Sequence, residues 1–287
     1  GVADQYRKLR NTFRYLLGAL DGFTEAERVD VAAMPELERY VLALLGQLDA
    51  TLRQAVADYD FNSYVRALTD FCNEDLSAFF FDIRKDSLYC DAATDPKRMA
   101  YRTVLDTLFH ALIRYAAPVI VFTAEEVWGS RYPGEGSVHL LEWPTLPRHP
   151  GLDPGSSLTG DAAAGSGTPD QVRGDALVEF WRSIRLIRNS VNEAIEPLRR
   201  EKVLGSSLEA NVLVPMHTTV DGQYDGIDWS ELCITASTDL VPPTGEFNGP
   251  INVTRTTHHK CGRCWRHLPE VTEDGALCSR CDNVVNG

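Results

Sequence analysis

Large apolar residues recur every three to four positions from the first residues onward. Val2, Tyr6, Leu9, Phe13, Leu16, Leu17 and Leu20 share one face, with basic residues between them, and predict a helix that Gly22 ends. The stripe restarts after Pro35, a residue suited to a first helical turn, with Leu37, Val41, Leu44, Leu45, Leu48, Leu52 and Val56. Asp60 is placed to cap a third helix that buries Phe61, Tyr64, Val65, Leu68, Phe71, Leu76, Phe79, Phe80 and Ile83. A fourth runs from about Asp95 through Leu105, Leu108, Phe109, Leu112 and Ile113 until Pro118 breaks it. Thr123-Ala-Glu-Glu126 reads as a capping box that opens a short helix. The expected fold is therefore mainly α, with a bundle of long helices over 1–146.

The pattern lapses over 147–170, where Pro, Gly, Ser and Ala leave few large apolar groups to bury. This is the composition of a flexible linker or insertion. A helix resumes near Gln171 with Val172, Leu177, Phe180, Trp181, Ile184, Ile187, Val191, Ile195 and Leu198. After Gly205 the period changes: residues 208–214 predict a strand, and 232–236 and 251–256 are further candidates. A helix with a small sheet is expected over 171–256, and a cysteine-bearing module over 257–287.

Of the 287 residues, four of the seven cysteines lie in the last stretch as Cys261-Gly-Arg-Cys264 and Cys278-Ser-Arg-Cys281. Two residues between cysteines let both thiolates reach one ion from a tight knuckle. Two knuckles supply the closed four-sulfur shell of one structural zinc ion. Metal ligation would supply folding free energy to a segment with almost no core. The competing readings are redox pairs or disulfides. With no signal-peptide layout the expected compartment is the reducing cytoplasm, where paired cysteines more often hold metal. Arg263 and Arg280 would help balance the charge of four thiolates. His258, His259 and His267 stand nearby, but the cysteines already fill the shell. Cys72 and Cys233 sit in apolar patterns and read as core.

The net charge of −13 disfavours a polyanionic partner only until its distribution is considered. Residues 5–20 hold Arg7, Lys8, Arg10 and Arg14 without an acid, and 251–267 hold Arg255, Lys260, Arg263 and Arg266 without one. Charges more than about 8 Å apart are largely screened at physiological salt, so local basic patches can face RNA. Arg7, Arg10, Asn11 and Arg14 lie at helical spacing, as do Arg182, Arg185, Arg188 and Asn189, followed by Arg199, Arg200 and Lys202. These faces suit phosphate contacts; solvated surfaces paired with nearby glutamates are the alternative. Trp265, between Arg263 and Arg266, either stacks on an unpaired base or lids the zinc knuckle. No P-loop, dinucleotide fingerprint or nucleophile elbow is present, and His110 and His139 are isolated, so no catalytic residue is expected. No apolar run approaches the ~18 residues of a membrane span. The helical pattern begins almost at the first residue, as in a piece of a longer chain.

Several stretches together resemble the bacterial isoleucyl-tRNA synthetases over their C-terminal third. They are residues 6–23, Tyr59-Asp-Phe61 leading into 79–86, 117–128, Ser137-Val-His-Leu140 and Trp143-Pro144. Those also occur, more loosely, in valyl and leucyl relatives. Two narrow the choice: residues 201–210, and Lys260-Cys-Gly-Arg-Cys-Trp265 with Leu277-Cys-Ser-Arg-Cys281. The resemblance implies a class I synthetase anticodon-binding helical bundle, then the small α+β subdomain and a zinc ribbon with four cysteine ligands. It implies a monomeric ligase that charges isoleucine tRNA using ATP, in which this chain binds tRNA(Ile) beside the rest of the synthetase. ATP would bind only in the missing catalytic domain, because neither HIGH nor KMSKS occurs here. The stretch at 147–170 is longer than the family's connection, and 215–229 is short and Gly/Asp-rich, so the subdomain is expected to be trimmed. A free-standing zinc-ribbon module binding nucleic acid or protein is the alternative.

Overall fold

The computed structural model describes residues 1–146, 169–216, 224–242 and 249–287. The expected linker lies outside the described residues up to residue 168, as does much of the segment between the first two candidate strands. The chain divides into two compact units, one of Gly1–Leu88 with Ala92–Phe180, the other of Tyr89–Asp91 with Trp181–Gly287.

The first unit is helical. α1 (Val2–Ala19) buries Leu9, Phe13 and Leu16 and ends three residues before Gly22, which takes φ +64° in the turn that follows. Arg102 donates to the carbonyls of Ala19 and Asp21 at 3.2 and 2.6 Å, which gives partners to groups the helix end leaves unpaired. α2 (Glu36–Ala57) follows Pro35 as its N-cap and buries Leu37, Val41, Leu45, Leu48 and Leu52. The cap read from sequence at Asp60 holds, and the expected helix start near Asp95 proves to be a cap as well. Asp60 accepts from Ser63 N at the start of α3 (Phe61–Asp70), and Asp95 from Lys97 N and Arg98 N at the start of α5 (Pro96–Ala116).

Three local expectations fail. Between α3 and α4 (Phe81–Cys90) the chain widens into a π-helix, Phe71–Phe80, in which the Ser77 hydroxyl donates to the carbonyl five residues back at Cys72. Phe61, expected inside, is exposed at the first turn of α3. Thr123 caps nothing: α6 (Val121–Arg131) begins two residues earlier, and Thr123 Oγ1 instead pairs with the Tyr6 hydroxyl at 2.9 Å.

Several polar groups inside the bundle have named partners. Arg84 meets Glu38 through two hydrogen bonds of 2.6 and 2.9 Å, both side chains being buried. Asp49 accepts from the Tyr115 hydroxyl and from Trp143 Nε1, each at 2.6 Å. Asp106 receives Arg28 and Arg131 and lies 3.7 Å from His110. Burial pushes His110 below the ordinary imidazole range, against the pull of Asp106.

α7 (Pro169–Arg200) runs from the first unit into the second. Its buried Trp181, Ile184, Val191 and Ile195 keep the helical period. A three-stranded sheet follows, ordered β2-β1-β3, from β1 (Ala210–Pro215), β2 (Ser237–Val241) and β3 (Asn252–Arg255). β1 runs parallel to β2 and antiparallel to β3, with Val212 opposite both Thr238 and Val253. Its alternate residues Ala210, Val212 and Val214 are buried. The expected strand over 232–236 is instead α8 (Trp229–Cys233) and a turn. Asp228 accepts from Glu231 N to start the helix, and Ile234 at φ +57° ends it. Local capping there outweighs the β propensity of the apolar run. α9 (Ser279–Asn286) closes the chain.

Candidate metal centre and nucleic-acid interface

The sequence folds the tail into two knuckles with their cysteines turned inward. One sulfur from each of Cys261, Cys264, Cys278 and Cys281 lies within 4.8 Å of the others, and all four residues are buried. The Sγ atoms of Cys264 and Cys278 are 3.8 Å apart. That is about the sulfur–sulfur edge of a tetrahedron with ~2.3 Å Zn–S bonds. It is far longer than the roughly 2 Å of a disulfide. All the chain's cysteines are free. The knuckles fit tightly because Gly262 lacks a side chain: a Cβ there would lie 2.4 Å from the carbonyl oxygen of Gly275, itself at φ +95°.

The thiols are not alike electrostatically. Burial raises the Cys264 and Cys278 thiols. Cys261 is pushed up by burial, but the backbone N–H groups of Arg263, Cys278 and Cys264 outweigh that push and bring it to about 6. A bound divalent cation would favour the thiolate in all four. No histidine among the described residues joins the group. His267 Nδ1 lies 2.7 Å from the His258 carbonyl, and His259 Nδ1 lies 3.4 Å from Asp274. Cys72 and Cys233 are core thiols raised by burial to about 12 and about 11.

Trp265 does not lid the knuckle. It is 61 % exposed, held at φ +66°, with Lys260 Nζ 5.2 Å from its ring centre. Val271 supplies the apolar packing, with Leu268, Ala276, Leu277 and Cys90 beside it. Arg263 is engaged: Nη1 lies 3.7 Å from Cys281 Sγ and donates to the Cys90 carbonyl, while Nη2 donates to the Tyr89 carbonyl at 3.1 Å. Arg280 Nη1 donates to Asp91 Oδ1 at 2.9 Å. Sequence spacing offered no hint of residues 89–91, which lie over 170 positions from the knuckle arginine that reaches two of them. The arginine shared by both knuckles was the one available signal.

The basic faces are partly as expected. Arg7, Arg10, Asn11 and Arg14 are exposed on α1, in the first unit, with Arg7 3.6 Å from Asp4. Arg10 and Arg14 form no ion pair among the described residues. In the second unit Arg182 and Asn189 are exposed and Arg185 is half-buried. Arg188 departs from this face: it is buried, and its Nε donates to the Leu232 carbonyl of α8 at 2.8 Å. It ties α7 to α8, and the helical count alone could not reveal this. Arg199 and Arg200 are exposed, each 3.4 Å from Glu196, and Lys202 is exposed at φ +59°. No helix among the described residues is long and apolar enough to cross a membrane.

The comparisons agree with the resemblance seen in the motifs. The chain is 53 % identical to the isoleucine–tRNA ligase of Zymomonas mobilis, matching 99 % of this chain and 28 % of that protein. It is 45 % identical to that of Gluconobacter oxydans (98 % of this chain, 27 % of that protein) and 43 % identical to that of Ruegeria pomeroyi (99 % and 28 %). It thus spans little more than a quarter of the curated relatives it matches. Residues 38–214 match the family model described as the anticodon-binding domain of tRNA ligase. That match takes in most of the bundle and reaches β1, and the chain belongs to the anticodon-binding domain family of tRNA ligases.

Proposed function

We propose that this chain is the tRNA-recognition portion of an isoleucine–tRNA ligase. In the whole protein, a monomer in the cytoplasm, a catalytic region outside this sequence would bind ATP and charge tRNA(Ile). The observation that carries the reading is the match of residues 38–214 to an anticodon-binding domain, joined to relatives that share the name isoleucine–tRNA ligase. The domain plan is a bundle over 1–146, a connection over 147–170, a helix with a small sheet over 171–256, and a ribbon over 257–287. The ribbon holds one zinc ion through Cys261, Cys264, Cys278 and Cys281. Their mutual spacing supports this role, and the ion's contribution is structural.

Arg7, Arg10, Asn11 and Arg14, and separately Arg182, Arg185, Asn189, Arg199, Arg200 and Lys202, position the RNA through its phosphates. Trp265 offers a ring to an unpaired base, and its exposure supports that use. Arg188 and Arg263 are withdrawn from the contact set by the carbonyls they already bind. Filter binding tests the reading: tRNA(Ile) should bind in preference to other tRNAs. Equal retention of all tRNAs would remove the isoleucine assignment from this portion.

A further inference from the structure

The two knuckles carry arginine at the same step, Arg263 one residue before Cys264 and Arg280 one residue before Cys281. Both reach one three-residue segment, Arg263 at Tyr89 and Cys90 and Arg280 at Asp91, which belongs to the same compact unit as the ribbon. Tyr89 and Cys90 close α4, so their carbonyls have no acceptor role within the helix. The planar fork of Arg263 takes both, where a helix's negative end favours a cation. Asp91 follows the last residue of α4, where a negative charge is disfavoured, and its side chain is 5 % exposed; Arg280 offsets its charge at 2.9 Å. Between them Cys90 packs among the four clustered cysteines and Val271.

We propose that residues 89–91 are an integral seat of the metal centre, so that metal binding and ordering of this segment are one coupled step carried by Arg263 and Arg280. The inference rests on the reading that the four thiols hold a metal. Each arginine lies between two of the cysteines an ion would hold, Arg263 in a turn and Arg280 in the first turn of α9. Loss of the ion frees the backbone of both knuckles and with it the arginines' aim. Coupling is reciprocal, so whatever the seat adds to the ribbon must appear as metal affinity.

The test uses the full chain loaded with Zn2+. Removing zinc with a chelator should speed amide exchange at 89–91 and leave the core of α2 unchanged; adding zinc back should restore protection. In competition with a chromophoric chelator, Arg263→Ala should weaken Zn2+ binding roughly tenfold, the scale seen for partners outside the ligand shell. Asp91→Ala, which removes the partner of Arg280 and none of the four cysteines, should shift affinity in the same direction, as should the isosteric Asp91→Asn if the alanine variant fails to fold. Arg266→Ala, in the same basic tail, should not. Unchanged exchange at 89–91 on zinc removal, or parent affinity in both Asp91 variants, overturns the coupling. Purified reduced protein without stoichiometric zinc overturns the metal reading itself.

Discussion

Arg84 and Glu38 show how much one side chain can decide in this bundle. Their two hydrogen bonds are buried, so Glu38→Ala takes from a buried guanidinium the carboxylate that holds it by both. Breaking such a pair costs about 3–5 kcal/mol, which urea denaturation of Glu38→Ala should show as a matching loss. Replacing both partners with apolar residues should cost less, because neither buried charge remains. His110 makes stability depend on pH. Its folded-state pKa lies below the ordinary imidazole value because partial burial disfavours the charged form. As pH falls below about 6.5, the unfolded chain takes up a proton that the folded imidazole resists. The unfolded state then binds more protons, so stability declines with falling pH. His110→Gln should lose less stability than the parent between about pH 7.5 and about pH 5.5, a window that brackets the unfolded imidazole, compared by urea midpoints at both. The carboxylates titrate in both proteins, so the difference isolates the imidazole.

At the scale of elements, legibility followed the range of the cause. Stripes such as Leu37, Val41, Leu45, Leu48 and Leu52 announce α2 because burial enforces the helical period. Asp60 and Asp95 announce helix starts because a cap acts within three residues. The π-helix at Phe71–Phe80 stayed hidden, since its apolar residues also satisfy an ordinary helical count. The cysteine ligands were legible because the chemistry resides in their spacing. The backbone that lets them converge was only partly so. Gly262 was readable as a turn, but not as a surface pressed against Gly275. Gly262→Ala should therefore weaken metal binding, because the obstructing atom at 2.4 Å is backbone and cannot swing aside. Zinc competition measured against the parent checks it. Trp265 allows backbone and ring to be separated. Asparagine tolerates φ +66°, so Trp265→Asn removes the ring while easing the backbone. If the ring stacks on a base, this variant should lose about 1–3 kcal/mol of tRNA affinity while keeping its zinc. Unchanged affinity would leave the exposed ring without that role.

For the whole molecule the question is how a chain of net charge −13 holds a polyanion. Global charge opposes the encounter, and only faces where basic residues stand clear of acids can reverse that locally. The α1 face has Arg10 and Arg14 without ion pairs among the described residues, whereas Arg199 and Arg200 share Glu196. These two sets should differ in their effects. An arginine already paired with a glutamate surrenders part of that interaction on meeting a phosphate, so its net contribution is smaller. If both faces contact phosphates, Arg10→Ala and Arg14→Ala should each reduce the slope of log affinity against log salt by about 1. Arg199→Ala and Arg200→Ala should reduce it less. Glu196→Gln should strengthen binding at low salt by freeing both. Because phosphate contacts carry no sequence information, each arginine variant should weaken tRNA(Ile) and other tRNAs alike, leaving their ratio unchanged. A titration series at several salt concentrations separates the cases. A slope indifferent to Arg10 and Arg14 would move the phosphate contacts off α1, and a changed ratio between tRNAs would mean that one of these side chains reads a base.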